Sequence, residues 1–100
     1  MSAKLYITAT FNVAPQHADE LQRAMEDLLT PTRKEAGCEY FFLYRDTEKP
    51  GRFIANDAWA SQAALDEHMA SPHFQAMAEV IKKFDVEVEF MKLSPLKPRV

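Results

Sequence analysis

The chain has three histidines, one cysteine and one tryptophan, so its chemistry is limited by where these few groups stand. His68 follows Leu65 by three residues and adjoins Met69, which on a helical projection puts it on the face that meets the rest of the protein. A neutral imidazole there can take a proton near pH 7, because its unperturbed pKa is about 6.5. It can equally be a core histidine bonded to a carbonyl or a carboxylate. Asp57 shares its parity with Phe53, Ala55 and Trp59, so one acid stands in an otherwise apolar row. A buried carboxylate needs a partner. His68 is the partner the pattern offers, unless Asp57 reaches solvent at its strand end. Trp59 reads first as core, although Trp59, Phe11 and Phe74 together could wall a pocket for a flat aromatic ligand. His73 falls in the first turn of a helix, where the dipole disfavours its charged form, and reads as a pocket-rim or structural residue. Tyr40 and Tyr44 could each supply a phenol.

Other chemistries are excluded by count and spacing. His68 and His73 are five apart across Ser71-Pro72, which is not the spacing of a ligand pair on one helix, and His17 is distant, so no metal site is expected. Cys38 cannot form an internal disulfide and reads as a small buried hydrophobe rather than a nucleophile. Gly37 and Gly51 are the only glycines, too few for a phosphate-cradling loop. Twelve Lys+Arg against fifteen Asp+Glu give a net charge of -3 with no basic cluster, which argues against nucleic-acid or polybasic membrane binding. The longest uncharged stretch, Leu5 to His17, carries Thr8, Thr10, Asn12 and Pro15 and falls short of the ~20 apolar residues that span a bilayer. With no secretory pattern after Lys4, a cytoplasmic protein without a membrane segment is expected.

The elements that must position these residues follow from periodicity. One hundred residues, 47% apolar and 27% charged, fit a single domain, with a core over about 4–93 and a proline-containing tail over 94–100. Leu5, Ile7, Ala9 and Phe11 alternate with polar neighbours as a strand that ends before Ala14-Pro15. Leu21, Ala24, Met25, Leu28 and Leu29 then line one side of a helix. Pro31 predicts a kink or restart with Thr30 as cap, and Gly37 a left-handed helix end. Cys38 to Tyr44 is apolar on both parities, so both faces of that strand should be covered. Pro50-Gly51 suits a type II turn into an antiparallel partner, Phe53 to Trp59. Ser61 can cap a short helix through Ala70, and Ser71-Pro72 starts another to about Phe84. Val86, Val88 and Phe90 alternate as the last strand. The order β-α-β-β-α-α-β predicts an α+β domain with helices on one face of a four-stranded sheet in the split βαβ arrangement. The apolar second face predicts a homodimer packed sheet to sheet.

Three segments carry a resemblance: Thr32-Arg33-Lys34-Glu35-Ala36-Gly37-Cys38, then Phe53-Ile54-Ala55-Asn56-Asp57-Ala58-Trp59-Ala60-Ser61, then His68-Met69-Ala70-Ser71-Pro72-His73-Phe74. In residue type, spacing and element order the chain resembles the antibiotic biosynthesis monooxygenase family, with its quinol monooxygenase-like members, over about Lys4 to Leu93. The resemblance implies a ferredoxin-like dimeric α+β barrel. It also implies a cofactor-independent monooxygenase that oxidises a small quinol or phenol with dioxygen. On that reading His68 is the base with Asp57 behind it, Trp59, Phe11, Phe74 and His73 contact the substrate, and neither cofactor nor metal is needed. An isomerase of a small carbonyl compound using the same histidine is the close alternative, and a non-catalytic ligand-binding dimer module is another. The family's usual strand-three Glu is here the shorter Asp57. The haem-degrading branch's Asn, Trp and His fall on Ala9, His68 and Ala78, which argues against haem degradation.

Overall fold

A computed structural model describes residues 3–99; Met1, Ser2 and Val100, the ends of the expected domain and tail, lie outside the described residues. Strands β1 (Leu5–Asn12), β2 (Cys38–Arg45), β3 (Arg52–Trp59) and β4 (Glu87–Leu93) form one sheet of order β2-β3-β1-β4, and each neighbouring pair is antiparallel. Three helices, α1 (Ala18–Arg33), α2 (Gln62–Ala70) and α3 (Pro72–Lys83), make the second layer, and a short 3-10 turn precedes α1. This is the ferredoxin-like α+β fold. Alternation sets the inner face: Ile7, Ala9, Phe41, Phe53, Ala55 and Trp59 are all buried against Leu21, Met25, Leu28, Leu65 and Met77 of the helices. At the sheet centre Ala9 pairs with Ala55, and Ala55 pairs with Leu43. Two adjacent methyl side chains leave room above the middle of the sheet that larger residues would fill.

Local signals act largely as expected. Ser61 Oγ accepts the Ala64 amide at 3.1 Å to cap α2, and Ser71 Oγ accepts the Phe74 amide at 3.2 Å to cap α3 behind Pro72. Gly51 has φ 82°, and Arg52 N donates to Lys49 O at 3.2 Å, as a type II turn at Pro50-Gly51 requires. Helix α3 ends with Asp85 at φ 53°; Val86 N donates to Ile81 O at 2.9 Å and Asp85 N to Lys82 O at 3.3 Å, a Schellman closure built without glycine.

Two expectations fail. Helix α1 runs continuously through Pro31 to Arg33, with no restart at Thr30. Pro31 lies in the last turn, where only the Asp27 carbonyl loses its donor, and Asp27 is exposed to water. Gly37 does not adopt a left-handed conformation, since Gly51 is the one glycine with positive φ. Its role is steric: a Cβ at Gly37 would collide with the Ala64 Cβ. The turn after α1 is thereby allowed to press against α2, and Ala60 N donates to Gly37 O at 2.8 Å across that contact.

Candidate active site

The close approach at Gly37 brings Glu35 to α2. Glu35 sits in the turn after α1, where its amide donates to Thr32 O at 3.1 Å and its carbonyl accepts from Cys38 N at 3.0 Å. Helices α2 and α3 meet at Ser71, whose hydroxyl donates to His68 O at 2.6 Å while capping α3. That junction turns His68 and His73, on different helices, toward one point. His68 Nδ1 lies 2.7 Å and His73 Nε2 2.8 Å from the same carboxylate oxygen, Glu35 Oε2. One carboxyl proton could serve only one of these contacts. A carboxylate accepting from both rings satisfies both, so the geometry puts N–H on His68 Nδ1 and on His73 Nε2.

His68 is 3% exposed. Its ring packs against Trp59 at 4.5 Å, Phe74 at 5.1 Å and Phe41 at 5.7 Å between centroids. It lines a cavity of about 120 Å³ between the sheet and the three helices. His68 and Asp57 are the two polar side chains of that lining; Phe11, Phe74 and the paired Ala9 and Ala55 are among its apolar walls. With Nδ1 engaged by Glu35, Nε2 is the nitrogen left to meet a ligand.

Asp57 faces the cavity with His68, as expected, but the direct pair does not form. Its Oδ2 instead accepts the Trp59 indole N–H at 2.6 Å. Residues two apart on a strand share a face, and a buried indole N–H needs an acceptor, so Trp59 claims the carboxylate within its own strand. Burial pushes the Asp57 carboxyl above the ordinary carboxylate range, and the Trp59 hydrogen bond and the nearby His68 offset part of that rise.

The structure also moves Trp59 and His73 out of the expected pocket wall. Trp59 is fully buried behind His68, and His73 lies on Glu35 outside the cavity. Phe11 and Phe74 do line it. Cys38 is half-buried, and burial, with Glu35 next, pushes its thiol up to about 11, which leaves it a poor nucleophile. Glu35 is the site residue that sequence reasoning passed over. Its signal was indirect: two histidines on apolar helix faces with no acid on those faces, and an unassigned acid in a turn held close by Gly37.

Comparison with known proteins agrees with this architecture. The chain is 32% identical over 74 residues, 74% of its length and 72% of the relative's, to a protein of Mycobacterium tuberculosis named "Putative monooxygenase Rv0793". The solved structure of Rv0793 superposes with a TM-score of 0.82 at 28% identity, covering 98% of this chain and 100% of that one. The structure of PA3566 from Pseudomonas aeruginosa gives 0.88 at 32% identity, covering 97% and 98%. Residues 5–80 match the family model described as antibiotic biosynthesis monooxygenase, a span that holds the sheet centre, Glu35 and both histidines, and the chain belongs to that family.

Proposed function

We propose that the chain is a cofactor-independent monooxygenase of a small quinol or phenol. The observation that carries this reading is a buried imidazole, tied through Nδ1 to a carboxylate, that lines an otherwise apolar cavity. The substrate hydroxyl gives its proton to His68 Nε2, and Glu35 stabilises the imidazolium that results. The ionised ring then reacts at carbon with dioxygen; one oxygen atom enters the product quinone and the other leaves as water. Phe11 and Phe74 hold the ring, and Asp57 provides a second polar point. The volume favours a single ring, since an apolar cavity of about 150 Å³ holds a benzene-sized molecule.

The second element of the proposal is a homodimer packed through the outer sheet face, where Phe42, Tyr44, Met91 and Leu93 are exposed in the single chain. Oxygen uptake with a panel of monocyclic quinols and phenols tests the reaction. Wild type should consume dioxygen, and His68→Ala should abolish uptake with an unchanged circular dichroism spectrum. Proton exchange next to a carbonyl without oxygen uptake would instead support the isomerase. Binding without turnover would support the ligand-binding module.

A further inference from the structure

Glu35 holds two imidazoles in an arrangement that is also a ligand set. We propose that Glu35, His68 and His73 bind a divalent transition-metal ion of the zinc class, and that occupancy reverses the tautomer of His68.

The three ligand atoms all lie within 4.8 Å of one another, with the two ring nitrogens 2.7 and 2.8 Å from Glu35 Oε2. Zinc takes nitrogen and carboxylate ligands at 2.0–2.2 Å, which sets tetrahedral ligands about 3.3 Å apart, so each hydrogen bond must open by about 0.5 Å to admit the ion. Two imidazoles with one carboxylate favour a transition ion over magnesium or calcium, which prefer all-oxygen shells. The side chains are 4% exposed at His68, 17% at Glu35 and 22% at His73. The site is therefore closed on the cavity side and open to water on the other, which provides an entry path and a fourth position for a water molecule. The ligands come from the turn after α1, from α2 and from α3, so the ion would staple three segments that only the folded chain brings together.

The ion would take the place of two protons. In its absence His68 Nδ1 and His73 Nε2 both donate N–H to Glu35. On binding, those protons move to His68 Nε2 and His73 Nδ1, and both rings stay neutral. His68 then presents a donor to the cavity where it had presented an acceptor, and it can no longer remove a proton from a hydroxyl. This consequence rests on the base role proposed above; the binding does not.

The lone tryptophan makes the test direct, because Trp59 is buried with its ring 4.5 Å from His68. Tag-free protein is titrated with cobalt(II) and zinc(II) without substrate. Cobalt should quench Trp59 fluorescence in a saturable manner with one ion per chain, and zinc should displace it and raise Tm by mass action. His73→Ala and Glu35→Gln should each weaken binding about tenfold or more, the loss that even outer-shell partners of a metal produce. His17→Ala should bind as wild type does. No saturable response, or unchanged affinity in His73→Ala, would overturn the site, whose contacts to the Glu35 carboxylate would then be hydrogen bonds alone. In a second arm, zinc at saturation should stop oxygen uptake; uptake that continues at full occupancy would overturn the tautomer switch. Metal-free protein that turns over no quinol would count against the oxygenase reading, while the fluorescence result still decides the site.

Discussion

A carboxylate oxygen that accepts from two imidazoles fixes which nitrogen of each ring carries a proton, and that is the contribution asked of Glu35. Glu35→Gln keeps the size but replaces one acceptor oxygen by a donor, so the His68 tautomer is no longer imposed. Its kcat should fall about 10²-fold or more, the usual scale of a base. KM should change little, because Glu35 does not line the cavity. Glu35→Asp should recover part of kcat, and equal losses in both variants would reduce Glu35 to a structural tie. Asp57 offers a test by pH. Burial raises its pKa in the folded chain, so folding favours the protonated form. The stability this contributes is fully present below the unfolded value of about 3.9 and is lost as pH rises through the folded one. Asp57→Asn retains an acceptor for the Trp59 indole without the buried charge. Its Tm should exceed that of wild type at pH 7, with the gap closing toward pH 3; a gap that does not vary with pH would refute the account. His68, Asp57, Phe11 and Phe74 were legible because each interrupts or completes a periodic face. Glu35 was not, because a turn has no period to read, and the spacing of His68 and His73 did not announce that the two rings converge, because it was read along one helix where the chain bends at Ser71.

Elements carry the site through their ends rather than their middles. Ser61, Ser71-Pro72 and Pro50-Gly51 were readable because caps and turns depend on residues adjacent in sequence. Pro31 and Gly37 were not, for opposite reasons. The effect of Pro31 depends on how many helical turns follow it, and here the helix ends at Arg33 before a lost amide matters. The effect of Gly37 depends on a contact with Ala64, which no local pattern announces. That contact can be measured as a coupling. Gly37→Ala should destabilise by about 1–3 kcal/mol as overpacking, and Ala64→Gly by about 1 kcal/mol for a helical glycine. The double variant should cost less than the two together, because the added methyl enters the space the other vacated. Strict additivity in urea unfolding would place the role of Gly37 elsewhere. Gly37→Ala should also reduce turnover beyond its effect on stability, since it pushes the Glu35 turn away from His68.

For the whole molecule, one layer of helices on one sheet leaves the second sheet face without a partner. The strand register aligns that face into rows: Tyr40, Ala58, Tyr6 and Leu93 lie side by side across the sheet, followed by Phe42, Asn56, Thr8 and Met91. Phe42 at 44%, Tyr44 at 54% and Leu93 at 49% leave large apolar and aromatic side chains exposed on this face. The apolar residues on both parities of β2 are the observation behind the proposed sheet-to-sheet dimer. Phe42 is the residue on which to test this. It lies outside the monomer core, and the Arg33 guanidinium sits 5.4 Å from its ring centroid. Phe42→Lys puts two unpaired cations into the proposed sheet-to-sheet contact, one from each copy, while leaving the helix-covered face untouched. Burying unpaired charge is costly enough to separate the subunits, and the lysine meets Arg33 as well. Sedimentation should show wild type as a dimer at micromolar concentration and Phe42→Lys as a folded species of 11.5 kDa. Glu79→Lys, on the exposed side of α3, should remain dimeric. A wild-type chain that sediments at the single-chain mass would remove the dimer, and a Phe42→Lys protein that unfolds rather than dissociates would place Phe42 in the monomer's own stability.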